Sequence, residues 1–119
     1  MLKTINCGDL RENHIGNHVT LAGWVDRRRD HGNLIFIDLR DRAGIVQVVF
    51  NPETAPDEHA MAESLRSEWV IRVSGHVRAR PEESDNPNLL TGEVEVAADA
   101  VQVLNESATP PFDISENSE

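Results

Sequence analysis

Residues 34–40, Leu-Ile-Phe-Ile-Asp-Leu-Arg, constrain the fold of this chain more than any other stretch. Side chains on a strand alternate between two faces. Here Ile35, Ile37 and Leu39 make one face wholly aliphatic, while Leu34, Phe36, Asp38 and Arg40 share the other. The first face belongs inside a core; the second leaves a Phe among charges. Turn chemistry flanks the strand, Asp30-His31-Gly32-Asn33 before it and Asp41-Arg42-Ala43-Gly44 after it. Strands are predicted at residues 18–29, 45–50, 69–80 and 93–104. Gly23, inside the first, marks a bend such as a barrel corner. In the last, Val94 and Val96 share one parity and Val101 and Val103 the other, so a bulge is expected near Ala98-Asp99. Residues 56–67 predict the one helix: Pro56 opens it, Asp57 and Glu58 fill its first turn, and Met61, Ala62 and Leu65 form an apolar stripe. The order βββαββ predicts an all-β fold, a five-stranded Greek-key OB barrel with one helix between strands 3 and 4.

A chain of 119 residues holds one such domain. Residues 1–105 are assigned to the OB domain, with a polar loop at 81–91. Residues 106–119, with Pro110 and Pro111, read as a hinge toward a further domain. No apolar run approaches the roughly 20 residues that span a bilayer. The N-terminus lacks the apolar core of a signal peptide. Cys7 is the only cysteine, which removes internal disulfides and CxxC metal sites. A cytoplasmic protein with no membrane partner is expected. None of the five histidines forms HExxH, and no glycine-rich phosphate loop or GxSxG is present. No catalytic or metal-binding residue is therefore assigned, and no cofactor is expected in this domain.

The net charge of −10 argues at first against nucleic acid. The acids, however, crowd into residues 53–68, 82–85, 93–99 and 106–119, while Arg27, Arg28 and Arg29 stand together. Ten of the eleven basic residues are Arg, the side chain suited to planar bidentate contacts and stacking. A small local site is implied rather than a broad basic surface. Only five side chains are Phe or Trp and none is Tyr, so a base-stacking platform must rest on one or two rings.

Phe36 is the candidate ring, since a Phe on a wet strand face offers a base something to stack on. With residues 41–44 as a turn, Asp38 falls opposite Gln47, and Gln47 lies diagonal to Phe36. An amide carries both donor and acceptor, which suits a base edge. With residues 30–33 as a turn, Arg29 falls opposite Leu34 and Arg27 opposite Phe36. The expected outer face of the third strand is Ile45, Gln47 and Val49. Arg78 and Arg80 take the outer parity of the fourth strand, and Glu93 and Glu95 that of the fifth. A carboxylate there can accept from a base amino group. Each residue has a plainer reading: Phe36 packed under a loop, Gln47 and the Arg run merely solvated, the glutamates paired with arginine.

The wording GWVDRRRDHGNLIFIDLRDRAGIVQVVFNP at 23–52 resembles the bacterial aspartyl-tRNA synthetases, in the class II group shared with asparaginyl and lysyl enzymes. CGDLRENHIG, SEWVIRVSGHVRAR, TGEVEV and ATPPF extend the resemblance along the whole chain. It implies an N-terminal anticodon-binding domain whose partner is the anticodon loop of tRNA. Phe36 would stack on an anticodon base, Gln47 and Glu95 would read base edges, and Arg29 and Arg78 would contact the loop, with Arg27 and Arg80 as weaker additions. The family's catalytic domain, with ATP and Mg, follows the hinge. The parent enzyme is expected to be a homodimer and this piece a monomer without aminoacylation activity. His31 stands where family members confined to aspartate tRNA commonly carry Leu. His there resembles members that also charge asparagine tRNA, and Ser84 in the 81–91 loop would restrain a base only weakly. The alternatives are a sibling specificity (asparaginyl or lysyl), an OB domain that binds protein, and a free-standing single-strand binder.

Overall fold

The computed structural model describes residues 4–80 and 94–106. It contains β1 (His18–His31), β2 (Leu34–Asp41), β3 (Gly44–Phe50), the helix α1 (Pro56–Ala62), β4 (Val70–Ala79) and β5 (Val94–Asn105). The strands close into a barrel in the order β1-β2-β3-β5-β4. The β3–β5 pairing is parallel and the others are antiparallel. This is the predicted OB barrel, with its helix between β3 and β4. All but the first residue of the expected hinge at 106–119, the loop at 81–91 with Ser84, and Glu93 lie outside the described residues.

The interior follows the alternation. Ile35, Ile37 and Leu39 from β2, Val46, Val48 and Phe50 from β3, Ile71, Val73 and Val77 from β4, and Val94 and Val96 from β5 are all buried in one cluster. Ala79, which shares the parity of that face of β4, is exposed at the strand's end. Cys7, which opens a short 3₁₀ turn at Cys7–Asp9, and Leu10, which caps its end, join the core beside the β2–β3 turn. There the Cys7 N–H donates to Asp41 Oδ2 at 2.6 Å, while Asp41 Oδ1 accepts from Ala43 N and Gly44 N. β1 is long enough to serve two neighbours. Residues 18–24 pair with β4 and residues 24–31 with β2, so Trp24 has partners on both sides. The bend expected at Gly23 falls at this hand-over. The expected bulge in β5 is also present: Gly75 pairs with Ala98 and Ser74 with Ala100, leaving Asp99 as the extra residue.

Three expectations are corrected. The β1–β2 turn is Gly32-Asn33 alone, with Gly32 at φ +61°, because Asp30 and His31 remain in the ladder opposite Ile35 and Leu34. The register therefore moves by two residues: Arg29 faces Phe36 and Arg27 faces Asp38. Faces are unchanged, since an even shift preserves parity. The helix stops at Ala62 rather than Ser67. Its last carbonyls are taken by other donors, Ser64 Oγ to Met61 O at 2.8 Å and Arg28 Nη1 to Glu63 O at 2.7 Å. Met61 consequently points to solvent, while Ala62 and Leu65 reach the core. Finally, the outer face of β3 is not wet: Gln47 and Val49 are buried.

Arg28 also forks onto Asp30, Nε to Oδ1 at 2.9 Å and Nη2 to Oδ2 at 3.0 Å. That pairing holds the Arg28 guanidinium above its ordinary pKa and the Asp30 carboxyl below its own. The middle residue of the Arg27-Arg28-Arg29 run is thus structural, tying β1 to the end of α1.

Close backbone approach at the β5 bulge makes Gly75 the most exacting small residue of the wall. A Cβ there would lie 2.2 Å from the Ala97 carbonyl oxygen. Gly75→Ala is expected to lower stability by about 1–3 kcal/mol through forced backbone displacement. Gly32→Ala, with open space around it, should lose only about 1 kcal/mol from its left-handed backbone. Urea unfolding midpoints of the two variants check the order, with unchanged m-values showing that stability rather than compactness has changed.

Candidate nucleic-acid interface

Barrel closure lines up outward-facing residues from all five strands. In register, Arg27 of β1 faces Asp38 of β2, Asp38 faces Gln47 of β3, Gln47 faces Glu95 of β5, and Glu95 faces Arg78 of β4. A second row runs beside it through Arg29, Phe36, Val49, Ala97 and His76. The parity of the strands dictates both rows, because the opposite parity is committed to the aliphatic core.

Side chains of the first row and their neighbours form one connected network. Arg29 Nη2 donates to Asp38 Oδ1 at 2.7 Å and to Gln47 Oε1 at 2.9 Å. Arg80 Nη2 donates to the same Gln47 oxygen at 2.9 Å. Gln47 Nε2 donates to Glu95 Oε1 at 2.8 Å, and Arg78 Nε donates to Glu95 Oε2 at 2.7 Å. Gln47 is 5% exposed and Glu95 3%. A buried carboxylate is costly unless paired, and here both oxygens have donors. The amide orientation follows from its neighbours: two guanidinium groups require the oxygen on their side, and the carboxylate requires the nitrogen on its own.

Phe36 stands in the second row between Arg29 and Val49 and is partly exposed, whereas Ile35 and Ile37 beside it are buried. The expected contrast between the two faces of β2 is therefore present. Arg29 keeps 40% of its side chain exposed, and its buried Nε has no acceptor among the described residues. The arrangement offers an aromatic face, the partly exposed guanidinium groups of Arg29 and Arg78, and a buried amide–carboxylate pair behind them. Such a surface can stack an unpaired base and contact its edge and its phosphate.

Of the residues singled out in the sequence, Phe36, Arg29, Gln47, Glu95, Arg78 and Arg80 come together. Arg27 is diagonal to Phe36 and exposed; His31, opposite Leu34, is diagonal on the other side and also exposed. Neither is tied to another side chain among the described residues. Of the two weaker expectations, Arg80 is anchored more firmly than Arg27. Asp38 was missing as a site residue. Its signal was the register that put it opposite Gln47, since a carboxylate beside an arginine run on a shared face is a ready partner.

An OB-fold nucleic acid binding domain of the tRNA anticodon type matches residues 19–104. The chain belongs to that family of OB-fold nucleic acid binding domains. More particularly, it is similar to bacterial aspartate–tRNA(Asp/Asn) ligases. It is 56% identical to that of Bacillus subtilis over 117 residues, which is 98% of this chain and 20% of that protein. It is 56% identical to that of Cyanothece sp. over 115 residues, 96% of this chain and 19% of that one. The chain thus spans about a fifth of the length of the curated relatives it matches. Among solved structures, the asparaginyl-tRNA synthetase of Pyrococcus horikoshii superposes with a TM-score of 0.75 at 28% identity, over 100% of this chain and 27% of that one. The OBody AM2EP06, bound to hen egg-white lysozyme, superposes with a TM-score of 0.77 at 27% identity, over 90% of this chain and 97% of that one.

The network predicts unequal roles in stability. Glu95→Ala leaves Arg78 Nε and the Gln47 amide without their buried acceptor, and is expected to cost about 1–3 kcal/mol. Phe36→Ala removes a partly exposed ring and should cost less than about 1 kcal/mol. Chemical denaturation of both variants measures this. A Glu95→Ala domain as stable as the parent would show that the network carries no folding energy.

Proposed function

We propose that this chain binds the anticodon loop of aspartate tRNA, as the N-terminal recognition domain of an aspartate–tRNA ligase. The observation that carries the reading is Phe36, a partly exposed ring held beside Arg29 and next to the buried Gln47–Glu95 pair. Phe36 stacks on an anticodon base. Gln47 and Glu95 present an amide and a carboxylate to base edges as the arginines exchange some of their protein contacts for RNA. Arg29, Arg78, Arg80 and the exposed Arg27 contact the loop and its phosphates. Aminoacylation, with ATP and Mg, belongs to the remainder of the longer relatives, and this domain uses no cofactor. The parent works as a homodimer in the cytoplasm, and the domain alone is a monomer.

Binding of an anticodon stem-loop is expected to weaken by about 1–3 kcal/mol in Phe36→Ala, the worth of one stacked base. Arg29→Ala should weaken aspartate and scrambled loops alike, whereas Gln47→Ala should mainly erode discrimination between them. Fluorescence titrations of the two loops across a salt series read all three. The salt series also separates a second reading, an OB domain that binds protein. That reading draws on the −10 charge and on the lysozyme-bound OBody of similar shape. RNA binding must weaken steeply with salt through counterion release, and salt-independent retention would favour the second reading.

The domain does not distinguish sharply between aspartate and asparagine anticodons, and His31 is the reason. The relatives of similar sequence carry the name aspartate–tRNA(Asp/Asn) ligase. The two anticodons differ in their third base, C against U, which present opposite hydrogen-bonding patterns. A neutral imidazole has one donor and one acceptor nitrogen and can meet either. The wild-type domain is expected to bind the two loops within about 1 kcal/mol of each other, less than the usual cost of one mismatched contact. His31→Leu should widen that gap. A wild type that already separates the loops tenfold, unchanged in His31→Leu, removes this role for His31.

A further inference from the structure

Two of the five histidines meet outside the network just described. His18 of β1 and His76 of β4 are directly opposed partners in the ladder, with ring centroids 4.8 Å apart in an edge-to-face arrangement. Their strands hold them there, and Asp99 of β5 completes the group. As the extra residue of the bulge, Asp99 has no partner of its own in the register, and its carboxylate projects outward to the histidines. His18 Nε2 lies 3.0 Å from Asp99 Oδ2, and His76 Nδ1 lies 3.8 Å from the same oxygen. One donor atom from each of the three residues lies within 4.8 Å of the other two.

We propose that His18, His76 and Asp99 form a binding site for a divalent transition-metal ion of the zinc class. Imidazole nitrogen and carboxylate oxygen bind Zn²⁺ at about 2.0–2.2 Å, so neighbouring ligand atoms around a tetrahedral ion sit about 3.4 Å apart. The two nitrogen–oxygen separations bracket that value. Side-chain rotations alone close the remaining gap, since all three residues are exposed. The donor set of two imidazoles and one carboxylate suits Zn²⁺, Ni²⁺ or Cu²⁺, and not Mg²⁺ or Ca²⁺, which take oxygen ligands. Three protein ligands leave further positions to water.

The other histidines are placed differently. His14 Nδ1 accepts from the Arg11 N–H at 3.0 Å, and His59 Nε2 is 2.8 Å from the Asn33 carbonyl oxygen. Arg78, two residues along β4 from His76, is engaged with Glu95. Locally the site thus combines two imidazoles with one carboxylate, in a chain of net charge −10 that favours cations. A bound ion would join the start of β1 to the β5 bulge across β4, and would stabilise the barrel by mass action.

The test is zinc titration of the 119-residue chain by calorimetry, with thermal unfolding in Zn²⁺ and in Mg²⁺. One Zn²⁺ per chain should bind and raise the unfolding temperature, and Mg²⁺ should not. His18→Ala and His76→Ala should each abolish the shift, Asp99→Asn should weaken binding by about tenfold or more, and His31→Ala should leave it intact. Co²⁺ should show ligand-field absorption bands in the wild type that vanish in the His18→Ala, His76→Ala double variant. Absence of any zinc effect on the wild type overturns the proposal. So does zinc binding that survives in the double variant, because the ion would then be held elsewhere.

Discussion

The parallel pairing of β3 with β5 is the contact on which the rest of the molecule depends. It is short, joining Gln47, Val48 and Val49 to Glu95, Val96 and Ala97. Without it the sheet would remain open, with β3 and β5 as edges. With it, Val48 and Val96 seal the interior while Gln47 and Glu95 meet on the outside. One backbone register therefore fills the core and assembles the polar pair. The pair in turn needs its arginines, because a carboxylate 3% exposed is tolerable only where hydrogen bonds replace water.

Charge is distributed to match. The chain as a whole carries −10, yet the cluster of Arg29, Arg78 and Arg80 against Asp38 and Glu95 sums to +1, three cations less two anions. An acidic protein can in this way present a small cationic patch without attracting polyanions over its entire surface. Such a patch favours a few directional contacts over bulk attraction.

Much of this was legible in residues 34–50, and the reasons are local. A strand with three aliphatic residues on one parity and charges on the other can face only one way, so Phe36 had to be outside. The Asp41 turn was readable because a carboxylate that caps its own backbone is a strong signal, and the Asp38–Gln47 pairing followed from it. The parity switch between Val96 and Val101 located the bulge at Asp99. The first turn misled because Asp30 and His31 have turn-like composition. Only Gly32, with its left-handed backbone, and Asn33 actually turn, and the paired state of the other two depends on β2. The burial of Gln47 was not visible either. It results from side chains of β1, β5 and the residue just past β4 converging over it, and Arg29, Arg80 and Glu95 are 18, 33 and 48 residues away in the chain. The shortened helix has the same kind of origin, a carbonyl claimed by Arg28 from a distant strand.

Beyond Val25, β1 has β2 on one side and no strand on the other among the described residues, since its pairing with β4 ends at Trp24. Its outer backbone from Asp26 to His31 is thus a row of amide groups able to accept another chain's strand, the usual beginning of sheet-to-sheet aggregation. This is where the three consecutive arginines stand, just after the bulge between Val25 and Arg27 that kinks the edge. Like charges repel an approaching copy of the same edge, and the kink spoils the straight register such a copy needs. Charge and kink together make this edge a poor template for a second copy of the hairpin.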